Sequence, residues 1–307
     1  MDDASKKPSV LVLLSTYNGE NYLQEQVRSI LAQDSDEVHV YILIRDDGSS
    51  DGTVSVLERL KCNRLSWYRG DNLGWRESFI DLLYKSGEYD FYAFSDQDDV
   101  WLPGKLKRAV DCLASMPEGP CLYFSNLITW RNDRREGLAK KRELKVDKYR
   151  CMVQCLATGN TMVFNRELKE IICRNPHPQY LLSHDFWVLQ VAALLGHVHY
   201  DPDSFILYRQ HGDNQVGVQR SLRWDLKRKM YDVSIFLADH RRQKGAQELL
   251  RCYGPLMDKE TEKIVRVVAG YRSHPCYRLR LLFSRKYVMD TFFRNVLLKM
   301  RVVAGRV

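Results

Sequence analysis

Short apolar runs alternate with amphipathic stretches through the first third of the chain, and this alternation constrains the fold more than any other feature. Residues 10–15, 38–44, 65–68 and 89–94 are largely apolar runs bounded by polar residues. Such runs suit strands covered on both faces. Between them, apolar residues recur at helical spacing. Leu23, Val27, Ile30 and Leu31 follow the capping residue Asn21, and Val54, Leu57 and Leu60 follow Ser50 or Asp51. Phe79, Leu82 and Leu83 face inward from a helix over 75–84, and Pro103 opens a fourth helix at a favoured first-turn position. Strand–helix alternation implies right-handed βαβ units and a parallel sheet. Ligands of such sheets bind beyond the carboxyl ends of the strands.

Polar motifs sit at three of those ends. Ser15-Thr16-Tyr17-Asn18-Gly19 follows the first strand and Asp46-Asp47-Gly48-Ser49-Ser50-Asp51-Gly52-Thr53 the second. Ser95-Asp96-Gln97-Asp98-Asp99-Val100-Trp101 follows the fourth and contains a D-x-D pattern. Crowded carboxylates repel one another unless a cation sits among them. Oxygen-only ligands suit Mg²⁺ or Mn²⁺ shared with substrate phosphates. A solvated acidic turn is the alternative for the same residues. Asp46 and Asp47 can accept hydrogen bonds from a base or ribose, or cap their own turn. Tyr17 can stack on a base or pack as an amphipathic ring. The chain has no G-x-x-x-x-G-K-[ST] loop and no G-x-G-x-x-G turn. Phosphate charge must therefore be met by a metal or by Arg and Lys.

The second half is less regular. Residues 132–150 are polar and strongly charged and read as a mobile loop between two halves. Residues 156–165 regain strand character around Thr158-Gly159-Asn160. Ser183-His184-Asp185 precedes a helix carrying Phe186, Trp187 and Leu189. A carboxylate there can cap the helix, or deprotonate an acceptor hydroxyl if burial lifts its pKa. Residues 199–209 read as a strand. His211 follows it, either as a structural residue or as an imidazole that reaches the Asp98 metal and shifts preference toward Mn²⁺. From Ser221 onward the chain reads as mostly helical. The expected division is a domain over 1–217, with a nucleotide-binding half over about 9–130 and an acceptor half over about 151–217. A helical region over 218–307 follows.

Composition narrows the function classes. A length of 307 residues allows one large domain or two modest ones. The eight cysteines form no C-x-x-C pair, which disfavours zinc. With no evident leader peptide, they point to a reducing cytosol. No uncharged apolar run approaches the roughly 18 residues of a spanning helix. The net charge of +8 resides in residues 272–307, which hold nine Lys/Arg against the single acid Asp290. Residues 1–271 sum to zero, which argues against a nucleic-acid partner. Taken as one helix, residues 279–303 align Leu279, Leu282, Met289, Phe293, Val296, Met300 and Val303 in one stripe. Arg278, Arg285 and Lys299 flank it on one side, and Arg280, Arg294 and Arg301 on the other. This suits a helix at an anionic membrane interface, or a core-packed helix with a solvated basic rim.

S-T-Y-N-G, D-D-G-S-S-D-G-T, D-N-L-G, S-D-Q-D-D-V-W, S-H-D-F-W and Y-R-Q-H-G-D-N-Q-V-G occur in this order. In order and spacing they resemble the bacterial family 2 glycosyltransferases, most closely the rhamnosyltransferase-like branch of cell-surface polysaccharide synthesis. The resemblance covers residues 9–217. It implies a GT-A fold, an α/β architecture with a mixed, mostly parallel sheet flanked by helices, here with a helical C-terminal extension. It implies an inverting transfer, dependent on Mn²⁺ or Mg²⁺, from a nucleotide-diphosphate sugar. Rhamnose from dTDP-rhamnose is the first choice of donor and a UDP-hexose the second. The implied acceptor is a saccharide or lipid-linked saccharide, reached in the cytoplasm or at the cytoplasmic membrane face.

By the same resemblance Thr16, Tyr17 and Asn18 line the base and ribose pocket, and Asp46 and Asp47 hold the base edge. Asn72 and Gly74 belong to a nucleotide-side loop, with Arg76 as a phosphate contact. Asp96 meets the ribose or metal waters, Asp98 ligates the metal and His211 completes its shell. Asp185 matches the catalytic base. Many relatives have Gly-Cys-Thr where this chain has Gly159-Asn160-Thr161, at the sugar or acceptor pocket beside Trp187. A sugar-nucleotide pyrophosphorylase is a rival reading, although its G-x-G-x-R loop is replaced here by Ser15-Thr16-Tyr17-Asn18-Gly19. A non-catalytic membrane adaptor is another, and it has no need of Asp98 or Asp185.

Overall fold

The computed structural model describes residues 7–141, 143–211 and 241–307. Two compact units emerge, each drawing on separated parts of the chain. The first comprises Met1–Glu143, Ala157–His177 and Gly196–Arg209, and the second comprises Leu144–Leu156, Pro178–Leu195 and Gln210–Val307. The sequence boundary at 217, the 212–217 part of the last motif and the helix start near Ser221 lie outside the described residues.

The first unit opens with β1 (Ser9–Thr16), α1 (Leu23–Leu31), β2 (His39–Asp46), α2 (Thr53–Arg59), β3 (Leu65–Arg69), α3 (Trp75–Lys85) and β4 (Phe91–Ser95). It continues with β5 (Val100–Trp101), α4 (Lys105–Ala114), β6 (Cys121–Arg131) and β7 (Arg134–Leu138). Helix α5 (Lys148–Val153) belongs to the second unit; β8 (Met162–Asn165) and α6 (Arg166–Cys173) return to the first. Helix α7 (His184–Leu195) again belongs to the second, and β9 (His197–Arg209) closes the sheet of the first.

That sheet runs β3-β2-β1-β4-β8-β6-β9-β5, with β7 paired to β6. Its first half is parallel throughout. Register pairs Thr16 with Asp46, Leu14 with Ser95 and Asp46 with Arg69, so the motif-bearing strand ends share one edge. The continuous apolar runs follow from burial on two faces. Val10, Val12 and Leu14 pack with Leu23, Val27 and Ile30 of α1 and with Leu106 and Ala109 of α4. Leu13 and Phe94 are equally buried outside that cluster, and Phe94 meets Phe79 of α3 edge-on at 5.5 Å. Each such side chain contributes about 1.5–3 kcal/mol on burial.

Two expectations change here. Residues 134–138 of the supposed mobile loop form β7, joined to β6 through Asn132 and Asp133 at φ 46° and 57°. Two left-handed residues make the tight hairpin turn that matches strand twist, and Asn and Asp tolerate that conformation. Strand structure over 156–165 is confined to β8, because Gly159–Thr161 form a 3₁₀ turn.

In the second unit α7 has Phe186 through Leu194 buried, as expected of a helix apolar on all sides. It is accompanied by α8 (Arg241–Tyr253), α9 (Lys259–Gly270), α10 (Pro275–Phe283) and α11 (Phe292–Ala304). The single helix expected over 279–303 is thus two. Ser284 leaves helical geometry, and its hydroxyl accepts from the N–H groups of Lys286 and Tyr287. Tyr287 is buried and donates to the Ile264 carbonyl at 2.8 Å. Thr291 then caps α11 by accepting from Arg294 N–H. No helix among the described residues is long and apolar enough to cross a membrane.

Candidate active site

The first unit brings three loops together at the carboxyl edge of its parallel strands. Gln97 fastens two of them. Its Oε1 accepts from the Thr16 hydroxyl at 2.6 Å and from Tyr17 N–H at 2.9 Å, while its Nε2 donates to the Tyr17 carbonyl at 3.1 Å. The third loop is tied in by Asn18, whose N–H donates to Ser49 Oγ and whose Oδ1 accepts from Ser50 N–H, each at 2.9 Å. Gly19 N–H donates to Thr53 Oγ1 at 2.8 Å. Gly19 is needed for closeness: a Cβ there would lie 2.7 Å from Thr16 Oγ1 and collide with Gln97 Oε1. Tyr17 and Asn18 remain exposed at the rim.

Asp46 and Asp47 are buried beneath this rim. Asp46 accepts from Ser49 N–H at 3.3 Å and faces Arg69 Nε at 3.3 Å. Asp47 accepts from Leu73 N–H and Gly74 N–H at 2.9 Å and from Arg45 Nη1. Its carboxylate therefore organises the loop that carries Asn72. Arg45 is itself buried and also reaches Asp81 at 2.9 Å and the Asp71 carbonyl at 2.9 Å. Burial works against its charge, but Asp47 and Asp81 outweigh that cost and raise its pKa. Arg76 is half-buried, with its guanidinium 4.7 Å from the Trp75 ring centre.

The acid turn lies between β4 and β5. Asp96 and Asp98 are half-buried and Asp99 is buried. Arg209, in the last position of β9, braces the turn. Its Nε donates to the Asp98 carbonyl at 2.9 Å and its backbone N–H to Asp99 Oδ1 at 3.2 Å, and its side chain pairs with Glu25. Asn160 donates to the other Asp99 oxygen. The Asp99 pKa stands well above the usual carboxylate range, first from burial and then from repulsion by Asp98 and Asp96. Lys105 is buried close by, with Nζ 3.8 Å from the Trp101 ring centre and without a hydrogen-bond partner among the described residues. Burial lowers its pKa to about 7, against the pull of Asp99.

Like-charge repulsion of this kind is what a divalent cation relieves. Among the described residues no three His, Cys, Asp or Glu side chains converge as a complete cage. The donor set fits an ion held by one or two carboxylates and completed by substrate phosphates, the usual habit of Mg²⁺.

Of the other sequence-named residues, Gly159 belongs to the first unit and Asp185, Trp187 and His211 to the second. Gly159 is buried next to Asn160, in the 3₁₀ turn behind the acid turn. Asp185 stands in the first turn of α7, half-buried, and accepts from Phe186 N–H at 2.8 Å. Trp187 is buried against Tyr253, ring centres 6.0 Å apart. His184 is buried, and burial lowers its pKa to about 4. His211 follows β9 by two residues and belongs to the second unit. Sequence reasoning assigned no role to Arg45, Gln97, Asp99 or Lys105. The amide set inside an acidic run and the charged residue inside an apolar strand were the available signals.

The model of the family described as "Glycosyl transferase family 2" matches residues 11–217. The chain is 32% identical over 231 residues to "dTDP-rhamnosyl transferase RfbG" of Shigella flexneri, covering 70% of this chain and 77% of that protein. It is 26% identical over 216 residues to an uncharacterized glycosyltransferase of Nostoc, covering 67% and 66%. Among solved structures, the mannosyltransferase PcManGT of Pyrobaculum calidifontis, in complex with GDP-Man and Mn²⁺, aligns with TM-score 0.56 at 17% identity, over 98% of this chain and 87% of that one. S. aureus TarS 1-349 aligns with TM-score 0.54 at 16% identity, over 97% and 83%. The structural likeness is one of fold, and that fold is the GT-A fold.

Proposed function

The chain belongs to glycosyl transferase family 2 and is a glycosyltransferase, and from that premise we propose that it moves rhamnose from dTDP-rhamnose to a saccharide or lipid-linked saccharide. The donor reading is supported by the 32% identity to a protein described as a dTDP-rhamnosyl transferase. The observation that carries the chemistry is the acid turn, braced by Arg209 and Asn160 and joined through Gln97 to the Thr16 loop. The enzyme works in the cytoplasm, peripherally at the cytoplasmic membrane face when its acceptor is lipid-linked.

Asp98, with Asp96 beside it, would hold Mn²⁺ or Mg²⁺, and His211 would join them by its place in the family pattern. When bound, such an ion would supply positive charge against that building on the leaving diphosphate. Thr16, Tyr17 and Asn18 orient the nucleoside, with Asp46 and Asp47 on its base side and Asn72, Gly74 and Arg76 on its phosphate side. Gly159, Asn160 and Trp187 shape the sugar and acceptor side. Asp185 takes the proton of the acceptor hydroxyl as that oxygen attacks the anomeric carbon from the face opposite the diphosphate. The carbon–phosphate-oxygen bond breaks as the new glycosidic bond forms, so configuration inverts. Fixing both reactants in line supplies much of the acceleration.

A donor panel scored by nucleotide release, with EDTA and then with added Mn²⁺, tests the reading. Release from dTDP-rhamnose that EDTA stops and Mn²⁺ restores is the expected result. Preferred turnover of a UDP-hexose replaces the donor, and turnover indifferent to EDTA removes the metal.

A further inference from the structure

The helix pair at the C-terminus shows apolar side chains where a helical unit ordinarily hides them. Phe292 is 86% exposed, Phe283 79%, Val303 64% and Phe293 62%. On α11, Phe292, Val296, Met300 and Val303 share one stripe and line an open groove of ≈ 580 Å³. The opposite stripe, Leu298 and Val302, is buried. The outward orientation is therefore set by packing of the inner face. Lys299 Nζ donates to the carbonyls of Leu281 and Ser284, which places the end of α10, and Phe283 with it, beside the groove. Arg278 donates from Nε and Nη2 to the carbonyls of Val302 and Val303, locking α10 to the far end of α11. The two helices present one fixed apolar face.

The charge around that face selects its occupant. Arg272, Arg280, Arg285, Lys286 and Arg294 are exposed, and Asp290 is the only acid between residues 272 and 307. A second copy meeting this face with its own would bring two cationic rims together. An anionic lipid surface offers both the apolar depth for the phenylalanines and the opposite charge for the rim. We propose that the α10–α11 pair is a membrane-docking face, with Phe283, Phe292 and Phe293 inserting at the headgroup boundary and the basic rim engaging anionic phospholipid headgroups. This deepens the peripheral, lipid-acceptor reading and rests on it for its purpose, but the contact itself is independent of donor chemistry.

Flotation of the full chain with liposomes tests the proposal. Vesicles of equal parts phosphatidylcholine and phosphatidylglycerol should carry the protein up the gradient, and high salt should weaken binding. Pure phosphatidylcholine vesicles should bind far less. Phe283→Ser, Phe292→Ser and Phe293→Ser combined should reduce bound protein by at least about tenfold, since three buried rings are lost. The triple variant should keep the wild-type melting temperature and its nucleotide-release rate on a water-soluble acceptor. Equal flotation of wild type and triple variant overturns the proposal, as does absence of wild-type flotation. Self-association that disappears in the triple variant also overturns it and identifies a second copy as the occupant. A donor-panel failure with flotation intact would strike the functional reading alone.

Discussion

The floor of the strand-end loops and the C-terminal helix pair depart from ordinary burial in opposite directions. At the ends of the strands, charge is hidden: Arg45 and Asp47 beside the Asn72 loop, and Asp99 and Lys105 at the acid turn, are buried. On the helix pair, apolar rings are shown and the charges are solvated. An informative position is a buried polar group or an exposed apolar patch, and each region supplies one kind. Arg45, Asp47 and Asp99 are sustained by hydrogen bonds, whereas the exposed rings find no cover among the described residues. Under the proposals made above, the first region takes a small anionic ligand and the second meets an extended surface.

The contrast can be broken most sharply at Arg45. Arg45→Met leaves buried Asp47 without its cationic partner, while half-buried Asp81 keeps Lys85 and Tyr68, and urea unfolding should show a loss of about 3–5 kcal/mol. A loss below about 1 kcal/mol would mean that the hidden charges are not mutually dependent. Asp98→Ala should lower nucleotide release by about 10²–10³-fold with little change in melting temperature; unchanged turnover would remove the turn from the chemistry. Gly19→Ala drives a methyl into Gln97 and Thr16, so the donor KM should rise and stability fall by about 1–3 kcal/mol. An unaltered KM would show that the Thr16 loop and the acid turn act separately.

Lys105 sharpens the comparison through pH. Its pKa in the fold is lowered to about 7, below that of an unfolded lysine. Between about 7 and 10.4 the unfolded chain therefore binds the extra proton, and stability rises with pH across that window. Lys105→Met should flatten the rise by roughly 1 kcal/mol per pH unit. Parallel pH curves for the two proteins would place the ammonium in water. The smallest effect belongs to the other region: Phe292→Ser should leave folding stability within about 0.5 kcal/mol of wild type, read by the same urea titration.

The parallel half of the sheet was legible in sequence because burial on two faces writes an unbroken apolar run. The motifs at strand ends were legible because topology forces them to one edge. What remained hidden depended on partners distant in sequence. Nothing local marks Asp99 as the acceptor of Asn160 and Arg209, or Arg45 as the support of the Asn72 loop through Asp47. The break between α10 and α11 falls inside an uninterrupted helical stripe. It follows from the Ser284 and Thr291 hydroxyls and from burial of Tyr287 against Ile264. The Asn132-Asp133 turn, by contrast, carried a local signal in two residues tolerant of left-handed backbone.

Gln97 gives the two loops it joins a shared fate. One amide spans them with three hydrogen bonds, so neither can shift without dragging its neighbour. Under the proposed donor reading, exchanging rim side chains such as Tyr17 would retune donor preference while the spacing between nucleoside and diphosphate stays constant. Such a pocket would behave as a ruler of fixed length with interchangeable markings.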